Sequence, residues 1–128
     1  MAYLLDTHAI IWYLEGSANL PQSMTYLIDN PKIDMCICAV SLWEIAIKIN
    51  LGKLDIRLSL NELLGYVKTR DFRIIDIEDR HLIALQKLPY IHKDPFDRLL
   101  ISTALVEELT IITIDENIQR YEVLWAWS

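Results

Sequence analysis

Short runs that are apolar at nearly every position, with no charged residue, constrain this chain more than any other feature. "YLL" before Asp6, "MCICAV" at 35–40 and "TIITI" at 110–114 are such runs. A strand with one face in water alternates apolar and polar residues. A strand covered on both faces does not. Segments with a helical period lie between the runs. Strands alternating with helices imply a mainly parallel sheet closed on both sides by right-handed crossovers, which is a three-layer α/β/α sandwich.

The elements follow from local signals. "AYLLD" reads as a first strand, and Thr7 is expected to cap a helix through "HAIIWYLEG" that stops at Gly16. "PQSMTYLIDN" reads as a second helix and "DMCICAV" as a second strand. Ser41 is expected to cap "LWEIAIKINLG", which ends at Gly52. "SLNELLGYVKTRD" has Ser59 at its N-cap and Glu62 at the third helical position. "FRIIDI" is a strand and "EDRHLIALQKL" a helix that stops before Pro89. "HKDPFDRLLISTAL" opens a further helix, "LTIITID" is a strand, and "EVLWAW" is expected at a sheet edge.

The 128 residues suit one domain spanning 1–128, and hydrophobic residues make up 53% of them, enough for a core. Asp6, His8 and Glu15 interrupt the apolar N-terminus and no basic segment precedes it, so neither a signal peptide nor a membrane span is expected. The expected location is the cytoplasm. Cys36 and Cys38, two apart on a strand, read as small buried residues. The net charge of −6 argues against a nucleic-acid partner, unless the acids are concentrated where divalent cations bind. No phosphate-loop or dinucleotide glycine pattern occurs, and no Ser/His/Asp or Cys/His set has a recognisable spacing.

Ligands of such sheets bind beyond the C-terminal strand ends. Asp6 ends the first strand and Asp115 ends "TIITID". Glu44 is expected in the first turn of the helix after "DMCICAV", and Asp97 in the first turn of the helix before "TIITID". Four carboxylates on one rim are the ingredients of a Mg²⁺ or Mn²⁺ site. Each also has a purely structural reading. Ser41 and Glu44 have capping-box spacing, and Glu44 stands four before Lys48. Asp94 reads as an N-cap with Pro95 first and Asp97 third. Asp6 suits a turn, and Asp115 can cap "ENIQRY". These structural readings do not explain why all four face one rim.

The stretches "YLLDTHAIIWYL", "SLWEIAIKINLGKL", "HKDPFDRLLISTAL" and "IITIDENIQRY" resemble the PIN-domain family, most of all the VapC-type toxins of bacterial type II toxin–antitoxin pairs. The resemblance covers nearly the whole chain, with the motifs in order. It implies a Mg²⁺- or Mn²⁺-dependent endoribonuclease on an α/β/α sandwich, an antitoxin partner and a homodimer. Asp6, Glu44 and Asp97 match the three main acids of the family and Asp115 a fourth, more variable one. Asp94 matches an acid of the "DPFDR" subgroup, with a capping or supporting role. Thr7 and Thr113 stand beside matched acids and are candidates to orient a ligand or water.

Several residues keep two readings. His92, Lys93 and Arg98 surround the Asp94–Asp97 mouth, either to meet RNA phosphates or as a solvated basic rim. Lys48, Lys53 and Arg57 extend that basic edge. His8 reads as a helix-surface residue. Trp125 and Trp127 are expected on one face of the edge strand, as core or as partner surface. The expected function is hydrolysis of RNA by a metal-activated water, as the toxin of a pair with a small cognate antitoxin. The alternative is a catalytically silent PIN-like module that binds RNA or protein.

Overall fold

Strand β1 (Ala2–Leu5) leads into helices α1 (Thr7–Glu15) and α2 (Gln22–Asp29), and β2 (Asp34–Cys38) runs without a loop into α3 (Ala39–Asn50). Helix α4 (Leu60–Thr69), strand β3 (Arg73–Ile75), and helices α5 (Asp79–Lys87) and α6 (Pro95–Glu107) come next. Strand β4 (Thr110–Ile112), helix α7 (Glu116–Gln119) and strand β5 (Trp125–Ala126) complete the order. These elements come from a computed structural model that describes residues 2–128. The sheet order is β3-β2-β1-β4-β5, and every pairing is parallel.

The continuous apolar runs sort themselves by pleat, since successive side chains on a strand face opposite ways. Leu4, Cys36, Cys38 and Ile111 turn to one core, with Leu100, Ile101 and Ala104 of α6 and Ile118 of α7. Leu5, Met35, Ile37 and Ile112 turn to the other, with Ala9 and Ile10 of α1, Met24 of α2, Ile45 of α3 and Leu63 of α4. The expected three layers are therefore present. Cys36 and Cys38 are both buried free thiols, and burial pushes them up to about 11 and about 12 respectively. No helix among the described residues is long and apolar enough to cross a membrane.

Two caps differ from the sequence reading. Asp6, not Thr7, is the N-cap of α1, because its Oδ1 accepts the Ala9 amide at 2.8 Å. Helix α3 starts at Ala39 with Cys38 in the cap position and no side-chain cap. Ser41 is therefore buried inside the helix, and Glu44 lies in the second turn rather than the first. The reason is that β2 feeds directly into the helix, where Val40 and Ile45 bury themselves in the core and packing replaces the cap. The signals at Gly16, with φ of 64°, and at the Ser59–Glu62 capping box are present as expected. Trp127 packs edge-on against Trp12 with ring centroids 5.8 Å apart, whereas Trp125 is 46% exposed. The pair does not form one face, because β5 ends between them.

Helices α5 and α6 are tied by a fully buried histidine. His81 accepts the Glu78 amide on Nδ1 at 3.1 Å, and its Nε2 lies 2.7 Å from Glu107 Oε2. A neutral imidazole with Nδ1 accepting carries its proton on Nε2 and donates it. The arrangement is thus a hydrogen-bonded strut.

Candidate active site

The strand order reverses direction about β1, with β2 on one side and β4 on the other. That switch point is where the C-terminal strand ends leave a crevice. Asp6 follows β1 directly, and Thr113 and Asp115 follow β4. Helix α6 returns along the sheet to the start of β4, so its N-terminus reaches the same rim. A cleft of about 170 Å³ lies there, lined by Asp6, Thr7, His8, Glu44, Lys48, His92, Asp94, Asp97 and Asp115.

Each acid is held differently. Asp6 is buried and capped onto the Ala9 amide. Burial pushes its carboxyl up, against the Thr113 hydroxyl and the Ala9 amide that hold it down. Glu44 is also buried. Its Oε1 accepts the Thr7 hydroxyl at 2.6 Å, and its Oε2 lies 2.7 Å from Lys48 Nζ. Asp115 caps α7 through the amides of Asn117 and Ile118, and its own amide donates to Thr113 Oγ1 at 3.0 Å. Burial, with Asp94, Glu44, Asp115 and Asp6 around it, pushes the Asp97 carboxyl up to about 8.

The two aspartates at the mouth of α6 have separated roles. Asp94 is the N-cap and accepts the amides of Phe96 at 2.8 Å and Asp97 at 3.2 Å. A reciprocal capping box would have the third residue accept the cap's own amide. Here His92 Nδ1 accepts that amide at 3.2 Å instead. Asp97 is thereby free of capping, and its Oδ2 meets His92 Nε2 at 2.9 Å. The same Nε2 stands 3.4 Å from Asp115 Oδ2. With Nδ1 accepting, neutral His92 holds its proton on Nε2 and is a donor between two carboxylates.

A family model described as the PIN domain matches residues 3–124. The chain belongs to the PIN-domain family. No curated protein sequence matches it significantly. Solved structures resemble this PIN domain over nearly its whole length. VapBC2 from Rickettsia felis, bound to a DNA fragment from its promoter, shares 18% identity with a TM-score of 0.73, covering 98% of each chain. VapBC-1 from nontypeable Haemophilus influenzae shares 17% with a TM-score of 0.68, covering 98% of this chain and 97% of that one. VapBC-5 from Mycobacterium tuberculosis shares 15% with a TM-score of 0.60, covering 98% and 95%. Likeness at this identity bears on the fold.

Within this PIN domain, Asp6, Thr7, Glu44, His92, Asp94, Asp97 and Asp115 line the cleft together, and Thr113 is buried beneath them. Lys93 is exposed beside it. Arg98 departs from the expectation of a phosphate contact. Its guanidinium donates to the carbonyls of Leu88, Pro89 and His92 and to the Tyr121 hydroxyl, and it lies over the Tyr90 ring. The loop before α6 turns its carbonyls inward, and these satisfy the fork. Lys48 was read from sequence both as part of a basic edge and as the residue four after Glu44, and the second reading gives the contact seen here. Nothing in the sequence told that His92 would stand between Asp97 and Asp115.

The donor set suits a hard divalent cation. Carboxylate oxygens are the ligands that Mg²⁺ and Mn²⁺ prefer, and Asp97, raised by burial and then by the acids around it, is a carboxyl that a nearby cation would favour in its ionised form. Asp6, Asp97 and Asp115 offer oxygens directly, and Glu44 offers one by sharing with Thr7 or Lys48. His92 Nε2 lies within 4.8 Å of its Asp97 and Asp115 partners, but it bears a proton while Nδ1 accepts and is a donor rather than a ligand.

Proposed function

We propose that this PIN domain is a Mg²⁺- or Mn²⁺-dependent endoribonuclease acting as the toxin of a toxin–antitoxin pair. The observation that carries the reading is the convergence of Asp6, Glu44, Asp97 and Asp115 on one cleft. These four are the proposed metal-holding and catalytic residues. The ion would supply positive charge to the phosphoryl oxygens and acidify a water molecule for attack on phosphorus. The chain's own residues do the positioning. Thr7 and Lys48 fix the two oxygens of Glu44. Thr113 orients Asp6 and the Asp115 backbone. Asp94 caps α6 and sets the direction of Asp97. His92 donates its single Nε2–H into the Asp97–Asp115 gap, which leaves the exposed Lys93 beside it to meet an RNA phosphate at the cleft edge.

The likeness to VapBC complexes supports a small cognate antitoxin as partner, and the family supports a homodimer. A groove of about 410 Å³ between α1 and α2, lined by Trp12, Tyr13, Leu20 and Pro21 among others, suits an apolar protein segment. The test is calorimetry of Mg²⁺ and Mn²⁺ binding together with an RNA cleavage assay, for wild type and Asp6→Asn. Metal-dependent cleavage by wild type alone is expected, with weaker metal binding by the variant. Equal metal binding by both removes the site assignment. RNA binding without cleavage by wild type would favour a silent binding module. Co-expression with the antitoxin is expected to give a complex that does not cut.

A further inference from the structure

Trp43 immediately precedes Glu44, and Phe96 immediately precedes Asp97. Two elements that each carry an acid of the cleft therefore also carry an aromatic ring one residue earlier. The two rings meet edge to face, with centroids 5.4 Å apart and planes at 72°. Phe96 is partly buried and packs against the core beneath α6. Trp43 is 59% exposed. An aromatic pair prefers this geometry, so Phe96 anchors the indole while leaving much of its surface to solvent.

The fold does not use that indole surface. The neighbouring α3 residues Glu44 and Ile45 are buried and complete the cleft and the core without it. What the ring adds is a fixed π-surface at the shoulder of an acid cleft whose rim carries Lys48 and the exposed Lys93. Cations at the rim suit a phosphate backbone. A base on a neighbouring nucleotide offers a π-face only where it is unpaired, and single-stranded RNA is recognised by stacking such bases on aromatic side chains. We propose that Trp43, held by Phe96, is a stacking platform for an unpaired base next to the scissile phosphate. The proposal rests on the ribonuclease reading, and the experiment separates the two.

Cleavage of an unstructured oligoribonucleotide is measured with Mg²⁺ for wild type, Trp43→Phe and Trp43→Ala. The same RNA is also made with abasic nucleotides flanking the mapped cut. Trp43→Ala is expected to raise KM roughly tenfold to a hundredfold with kcat changed less than about threefold, and Trp43→Phe to stay within about threefold of wild type. On the abasic RNA, wild type and Trp43→Ala become alike. An unchanged KM for Trp43→Ala, or an equal loss on abasic RNA, overturns the platform. An unchanged KM with an altered oligomeric state assigns the ring to a protein contact and overturns it too. Fluorescence titration with the oligonucleotide in Ca²⁺, taken as wild type minus Trp43→Phe, judges the platform independently of cleavage. Quenching of the Trp43 signal by RNA supports stacking even if wild type cuts nothing, in which case only the ribonuclease reading falls. A Trp43 signal unmoved by saturating RNA overturns the proposal.

Discussion

Asp94 and Asp97 stand three residues apart at one helix mouth and are held by different forces. Asp94 satisfies two amides that the helix cannot pair internally, so Asp94→Ala is expected to cost about 0.5–2 kcal/mol in urea unfolding, and Asp94→Asn only a few tenths. Asp97 satisfies no amide. Its neighbours are carboxylates and one imidazole edge, so Asp97→Asn relieves repulsion in the metal-free protein. That variant is expected to unfold at slightly higher urea above pH 8 and to lose cleavage by orders of magnitude. An active Asp97→Asn enzyme would return both aspartates to a purely structural role.

At the scale of elements, two joints hold the α5–α6 side of the molecule. One is His81, fully buried between the Glu78 amide and Glu107. His81→Ala empties a filled space and leaves the Glu78 amide and the Glu107 carboxylate without their imidazole partner, and the expected loss is about 2–5 kcal/mol, read from the urea midpoint. The other is the loop before α6. The Tyr121 hydroxyl accepts the amides of Ile91 and His92 and donates to the Pro89 carbonyl, while Arg98 donates to that same carbonyl and to those of Leu88 and His92. Tyr121→Phe keeps the ring and leaves two amides without their acceptor, at an expected cost of about 1–3 kcal/mol. Because that loop carries His92 and Asp94, the same variant is expected to lower kcat in the cleavage assay at temperatures where it remains fully folded by circular dichroism.

For the whole molecule, the acid cleft is expected to link stability to pH and to metal. In the folded, metal-free chain Asp97 titrates near 8, against about 3.9 when unfolded. Between those values the folded state holds more protons, so its stability falls as pH rises. This contribution is complete below the unfolded value and gone above the folded one. The Asp6 shift has the same sign. The unfolding midpoint of metal-free protein is therefore expected to fall between pH 5 and 9, with a shallower slope for Asp97→Asn. Mg²⁺ at a hundredfold excess over its Kd should restore about 2.7 kcal/mol, and chelation should reverse that gain. A flat profile for wild type would mean that the cleft is less tightly coupled than the geometry implies.

Residues within a turn of one another were legible along the chain. The apolar runs dictated covered strands, Gly16 and Ser59 marked helix ends, and the Asp94-Pro95 pair announced the start of α6, because caps and periodicity act between near neighbours. The same locality misled where packing overruled it. Ser41 looks like a cap, but Cys38 leads straight into α3 and the core holds that helix start. Thr7 looks like a cap, but its hydroxyl reaches Glu44, 37 positions away. Only the tertiary structure turned Arg98 onto loop carbonyls, set His92 Nε2 between Asp97 and Asp115, and left Trp43 standing beside the cleft. Those placements depend on which distant segments meet at the end of the sheet. Crossover geometry and burial fix that meeting, and no residue's near neighbours in the chain encode it.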